Sequence, residues 1–211
     1  MFATYYITSM KVMADKAYIT KWCFWSPGEG SAKSPPLPFV SPMAKRRLSQ
    51  LSRMVLHAIH EVSQGKQNIK ITFSSEYGEI TQQLKISEEI LETQKVSPTK
   101  FSHSVFNTPV AVATIAEKNT AGYSAICAGK DSFYCGFCEC LAALYSGADK
   151  ERIYVHGDEL IPEPFQILSG GANTPFVIAF FLSLVPSDCS IEVPKNFHCT
   201  GPDFAKNFLH I

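Results

Sequence analysis

Residues 121–147, AGYSAICAGKDSFYCGFCECLAALYSG, constrain the fold more tightly than any other stretch. Tyr123–Ala128 is an apolar run of strand length, and Gly129 ends it. From Asp131 and Ser132 onward, Phe133, Gly136, Phe137, Cys140, Leu141 and Leu144 recur at helical spacing. The stretch therefore predicts a buried strand, a tight turn and an amphipathic helix, with Asp131 or Ser132 near the N-cap.

The rest of the chain supplies layers for that unit. Ala17–Trp25 is β-rich and stops at Ser26-Pro27-Gly28. Residues 1–15 are ambiguous and leave room for an extra strand. Gly28–Pro38 reads as a loop. Pro42–Val62 reads as one helix, with Leu48, Leu51, Met54, Val55, Ala58 and Ile59 on its apolar face. Asn68–Phe73 alternates as a strand. Gly78–Glu92 reads as a helix with Ile80, Leu84, Ile86 and Ile90 inward and Glu88, Glu89 and Glu92 solvated. Ser97–Ser104 is expected as a loop before a small-residue helix, Val105–Glu117, where Pro109 fits only in the first turn. Arg152–His156 follows as a strand, and Gly157–Pro164 as an acidic, proline-containing loop. Gly170-Gly171-Ala172-Asn173 reads as a turn, Phe176–Val185 as an apolar strand, and residues 186–211 as an irregular tail with at most one short strand. This order argues for an α/β chain with a mixed sheet and helices packed on it. It reads as a single domain, 1–211, with a core at about residues 17–185.

Lys plus Arg equals Asp plus Glu, 19 of each, so the formal net charge is zero. That balance argues against a general nucleic-acid or membrane-surface role. With only 18% charged residues, it also favours a chain that covers apolar surface with a partner. No apolar run is long enough for a membrane span. The N-terminus lacks the basic region and small-residue cleavage site of a signal peptide, so a cytoplasmic protein is expected. There are seven cysteines. Cys23, Cys127 and Cys140 fall among apolar neighbours inside expected elements, which reads as reduced, buried thiols. Cys135, Cys138 and Cys140 form C-x-x-C-x-C, and with Cys189, Cys199 and His198 they raise the question of a zinc or iron–sulfur site. On a helix, positions 135 and 138 share a face that 140 does not share with both, and no second paired motif follows. Neither a metal nor another cofactor is expected. His103 and Asn107 would need Cys127 or Cys135 to imitate a Cys/His/Asn hydrolase. Nothing in the spacing demands it, and a structural histidine is the expectation.

Three segments carry a resemblance. Pro36-Leu37-Pro38-Phe39, with Met43 and Arg46-Arg47-Leu48-Ser49-Gln50-Leu51-Ser52-Arg53-Met54, resembles the first helix of small β-ketoacyl-synthase-like proteins. Phe101-Ser102-His103-Ser104-Val105-Phe106-Asn107-Thr108 resembles that family's segment before the nucleophile, and Ala128-Gly129-Lys130-Asp131-Ser132-Phe133 its altered nucleophile turn. The resemblance covers roughly residues 17–185 and implies the N-terminal half of a thiolase-like fold. Half-length members are chain-length-factor-type subunits of bacterial aryl polyene and related polyketide pathways, paired with a full-length ketosynthase.

In thiolase-like enzymes this turn presents a cysteine whose thiolate the helix N-terminus favours. Here Asp131 holds that position, and acyl transfer to a carboxylate would give an unstable mixed anhydride. The second half's decarboxylating histidines have no match in His198 or His210. The resemblance thus implies an inactive subunit with no catalytic residue, in a heterodimer with a catalytic ketosynthase. Phe101, Phe106, Asn107, Tyr123, Ala125, Cys127 and Phe133 would lie at the seam or the end of the acyl tunnel. Lys45, Arg46 and Arg47 cluster at the start of the expected helix, the unfavourable end for its dipole. They would face an acyl carrier protein. Plainer readings are a helix cap for Asp131, core packing for the phenylalanines and a solvated face for the cations. The rival function is an independent cysteine-dependent acyltransferase or thioesterase.

Overall fold

The computed structural model describes residues 16–28, 33–169 and 173–210. In chain order the elements are β1 (Tyr18–Trp25), α1 (Pro42–Lys45), α2 (Gln50–Ser63), β2 (Ile71–Ser74), α3 (Ile80–Thr93), α4 (Pro98–Ser102), α5 (Thr108–Ala116), β3 (Tyr123–Ile126), α6 (Ser132–Tyr145), β4 (Glu151–Asp158), β5 (Phe176–Ser183), β6 (Ile191–Glu192) and α7 (Gly201–Phe204), with a 3-10 segment at Glu163–Ser169 and a π turn at Ala205–Leu209. The strands form one mixed sheet, ordered β3-β2-β4-β5-β1-β6. β2 pairs parallel with both β3 and β4, while β5 runs antiparallel to β4 and β1. The expected α/β class with a mixed sheet is the observed one.

Burial explains the strand sequences. In β5, Val177, Ala179 and Phe181 join one core with α2 and α5. Ile178, Phe180 and Leu182 join a second core with α6 and the C-terminal segment. A strand covered on both faces reads as a continuous apolar run, as Phe176–Val185 does.

Several boundaries differ from expectation. Pro42–Val62 is two helices, because Ser49 caps α2 by accepting the Ser52 N–H at 2.9 Å. Lys45 therefore lies in the last turn of α1 and Arg46 at its C-cap, the favourable end for a cation. The loop 97–104 contains α4, capped by Ser97. Asn68 takes a positive φ of 60°, so β2 begins only at Ile71. In α3, Ile80 and Ile86 are buried, but Ile90 is 44% exposed. The stretch Tyr123–Ala128 is not a buried strand: β3 ends at Ile126 and lies at the sheet edge with Tyr123 and Ala125 exposed. The one short strand expected in the tail is β6, but the rest is not irregular throughout. β6 pairs with β1, and Phe197, Phe204 and Leu209 are buried, because their apolar side chains close the second core over α6. The possible strand in residues 1–15 and the turn residues Gly170, Gly171 and Ala172 lie outside the described residues.

α6 approaches the sheet closely at Gly136. A Cβ there would sit 2.8 Å from Tyr154 Cε2 and 2.9 Å from Ser74 Cβ. Gly136→Ala gains about 1 kcal/mol of helix propensity, but overpacking against strand atoms costs about 1–3 kcal/mol. We expect net destabilisation, read as a lower urea midpoint.

Candidate functional site

The turn between β3 and α6 is held by Ser132 rather than by Asp131. Gly129 takes φ +57°, which reverses the chain at no steric cost. Ser132 is buried; its Oγ accepts the Ala128 N–H at 2.9 Å and donates to the Gly129 carbonyl at 2.7 Å. Asp131 occupies the N-cap position, but its side chain makes no capping hydrogen bond. This corrects the expectation of a carboxylate cap. Its Oδ1 lies 3.4 Å from His198 Nε2, with both side chains more than half exposed. The tail histidine thus meets the turn at the head of α6, a proximity that sequence separation conceals.

Among the described residues β3 pairs with β2 on one side only. Its inner side is fixed by polar contacts. Ser124 Oγ is 3.2 Å from Thr72 Oγ1 and accepts from Arg152 Nη2 at 3.3 Å. Arg152 is itself buried and paired with Glu139 at 2.9 Å and Asp149 at 3.0 Å. Asn107 Nδ2 donates to the Tyr123 hydroxyl at 2.8 Å, joining the N-cap of α5 to the edge strand. Asn107 thus engages Tyr123 rather than a cysteine–histidine pair. α5, TPVAVATIA, has no charged residue, and its outer Ile115 is 78% exposed. A helix apolar all round normally has both faces covered. Cys127, expected as a buried thiol, is exposed just beyond β3 and donates to the Glu76 carbonyl at 3.6 Å.

The phenylalanines separate. Phe101 is 57% exposed on α4. Phe106 is half-buried against Phe73, with ring centroids 5.5 Å apart. Phe133, expected near a seam or tunnel end, is 1% exposed amid Phe137, Tyr154, Phe180 and Phe204, so its place is the core. Cys140 is buried, and burial pushes its thiol up to about 12. Cys135 and Cys138 are half-buried on the same helix.

Two groups were not singled out in the sequence. The first is a buried polar chain at the C-terminal ends of β2 and β4. It comprises Ser74, Ser75, Tyr154, His156 and Asp158, and opens on a cavity of about 180 Å³ lined also by Glu76, Gly129, Lys130, Phe133, Phe176, Thr200 and Pro202. The polar pairs Ser74-Ser75 and His156/Asp158, ending otherwise apolar strands, were the available signal.

The second group lies under a groove of about 600 Å³ that gathers Lys33, Arg46, Arg47, Arg53 and Lys85. Arg46 and Arg47 are exposed, while the Lys45 carbonyl accepts from Arg53 Nη2 at 2.7 Å. Behind the groove, Glu79 is fully buried. Its Oε1 accepts the Ser49 and Ser52 hydroxyls at 2.7 Å each, and its Oε2 has no hydrogen-bond partner among the described residues. Burial pushes this carboxyl up to about 7 against the two hydroxyl donors. Glu159, also buried, accepts the Thr81 N–H at 2.9 Å and is likewise raised by burial.

The sequence matches the family described as "Beta-ketoacyl synthase, N-terminal domain" over residues 22–202, and the chain belongs to that family. No curated protein matches it. Among solved structures, it is similar to a chain of a ketosynthase (ApeO) in complex with its chain length factor (ApeC) from Xenorhabdus doucetiae. That match has 26% identity and a TM-score of 0.69, and covers 80% of this chain and 79% of the other. The ishigamide ketosynthase/chain length factor shares the fold at 11% identity and a TM-score of 0.65, over 80% of this chain and 62% of that one. A β-ketoacyl synthase from Burkholderia phymatum does so at 9% identity and 0.60, over 80% and 59%. The architecture is that of half a thiolase-like ketosynthase.

Two measurements follow from the local geometry. Ser132→Ala removes the buried acceptor of the Ala128 N–H and costs about 1–2 kcal/mol, whereas Asp131→Ala stays within about 0.5 kcal/mol; chemical denaturation of both variants separates the two roles. A carboxyl raised from 4.5 to about 7 contributes stability that is fully present below 4.5 and lost as pH rises through about 7. His156, lowered by burial from 6.5 to about 3, acts with the opposite sign. Glu79→Gln therefore removes a loss of about 1–3 kcal/mol that falls between about pH 4.5 and pH 7, seen as a stability difference between variant and wild type that grows across that interval.

Proposed function

We propose that this member of the β-ketoacyl synthase N-terminal family is a non-catalytic, single-domain subunit that pairs with a catalytic ketosynthase. In that pairing it acts as a chain-length factor, and its surface completes the wall of the partner's acyl tunnel. Asp131 carries the reading. It sits at the head of α6, after the glycine turn, where the family's nucleophile would stand, and a carboxylate there cannot take an acyl group as a stable thioester. The likeness to a chain of a ketosynthase–chain length factor complex supports the reading, since the two coverages, 80% and 79%, describe chains of similar length.

The seam in this reading is the edge of β3, unpaired among the described residues, with the uncharged α5 beside it. An open strand edge is a template for another chain. Tyr123, Ala125 and Cys127 present exposed side chains along it, and Asn107 holds the Tyr123 ring in place. Phe101 and Phe106 are then the side chains that would reach a tunnel, while Phe133 belongs to the second core, away from Phe106, which packs on the first. The carrier protein meets the complex through its acidic surface, for which Arg46 and Arg47 in the basic groove, beside Lys45, are the complement on this subunit. The setting is a cytoplasmic aryl polyene or related polyketide assembly.

The test is co-expression with a candidate ketosynthase. The wild-type chain is expected to co-purify as a heterodimer with no acyl adduct on this subunit after incubation with acyl-carrier thioesters. Ala125→Lys, at an exposed edge position, should leave folding within about 0.5 kcal/mol and weaken the heterodimer at least about tenfold, as measured by analytical ultracentrifugation. A stable acylated species on this chain, or an unaffected heterodimer with lysine at 125, contradicts the reading.

A further inference from the structure

The buried polar chain at the ends of β2 and β4 fixes its own protons. Tyr154 Oη is 2.6 Å from the Phe133 carbonyl, which can only accept, so the tyrosine donates there. Tyr154 Oη is also 2.7 Å from Ser74 Oγ, so the serine proton fills that contact. Ser74 Oγ is 2.9 Å from His156 Nδ1, and with its own proton committed it must accept. His156 therefore carries its proton on Nδ1. The ring is neutral, because burial drives its value down to about 3. Nε2 is left as a bare acceptor.

Asp158 faces that nitrogen. Its Oδ1 accepts from Ser75 Oγ at 2.5 Å, Glu76 N at 2.9 Å and Tyr77 N at 3.0 Å. These three donors oppose the burial that raises the carboxyl to about 6, so it is ionised at neutral pH. Its Oδ2 lies 3.8 Å from His156 Nε2, too far for a direct hydrogen bond. Among the described residues neither atom has a hydrogen-bond donor, and the carboxylate has no cationic partner. Both residues are more than nine-tenths buried, and both line the cavity walled by Phe133 and Phe176. Two acceptors, one of them a buried anion, thus share an aromatic-walled space. Buried charge is ordinarily paired, and aromatic faces favour a cation.

We infer that this cavity is a binding site for a primary ammonium group, which donates to Asp158 Oδ2 and His156 Nε2 together between the two phenylalanine rings. The ammonium comes from one of two sources. Lys130 lines the same cavity and can supply it from within the chain; otherwise it belongs to a small alkylamine. Neither Asp158 nor His156 belongs to the β3 edge, so the test can be read with or without the ketosynthase pairing.

The experiment uses the full chain, alone or in its complex, with histidine labelled in this chain only. The His156 ring nitrogens are followed by NMR during titration with methylammonium chloride. Tetramethylammonium, which carries the same charge but no N–H, is the control. The expected result is an Nδ1–H tautomer whose Nε2 resonance moves saturably with methylammonium and not with the control. If the wild type does not respond and Lys130→Met does, Lys130 is the occupant and the ammonium site stands. Asp158→Asn keeps the Oδ1 acceptor for Ser75 and the two main-chain N–H groups, and turns an amide N–H toward Nε2. It is expected to fold and to lose at least about tenfold in methylammonium affinity. A proton found on Nε2, an equal response to tetramethylammonium, or no response in either wild type or Lys130→Met overturns the proposal and leaves the cavity to water.

Discussion

Burial of β5 on both faces governs the architecture. Its alternating residues feed two separate cores, so the sheet needs a helical layer on each side. α2 and α5 supply one. α6 supplies only part of the other, and the chain must bring back Phe197, Phe204 and Leu209 to finish it. The C-terminal segment is therefore a structural layer rather than an appendage. It also carries His198 to the Asp131 turn and Thr200 to the rim of the aromatic cavity.

The same layering decides where polar chemistry collects. α6 lies so close to β2 and β4 at Gly136 that Ser74 and Tyr154 are sealed from solvent. Sealed hydroxyls must find partners, and they do so in one directed chain from His156 to the Phe133 carbonyl. The chain ends at the cavity, where the strand termini stop supplying donors. Around the corner, Ser49 and Ser52 of α2 hold the buried Glu79 at the head of α3, and this contact ties the two helices behind the basic groove.

The edge of the sheet shows the reverse situation. β3 is anchored on its inner side through Ser124, Thr72 and the buried Arg152, yet among the described residues its outer edge is unpaired. An open strand edge beside a helix without charged residues is the kind of surface on which another chain can pair. In the turn that follows, Ser132 sets the shape, and Asp131 is more than half exposed beside His198.

The sequence alone determined the types and order of the main elements from β1 to β5, although it merged α1 with α2 and left α4 and α7 unread. Apolar spacing over Phe133–Leu144, the uninterrupted run in β5 and the Ser-Pro-Gly stop after β1 are local signals that tertiary packing did not override. It also located the glycine turn and its aspartate, since Gly129 and Asp131 are defined by their neighbours in the chain. Tertiary structure decided whatever depended on which faces meet. Strand pattern cannot distinguish a buried strand from an edge strand, because β3 owes its exposure to the order of strands in the sheet. The aspartate's lack of a capping bond, Phe133's place in the core and the meeting of His156 with Asp158 all depend on distances between elements far apart in the chain. Hydrogen-bond geometry across those elements sets each proton's position, and no spacing along the sequence encodes it.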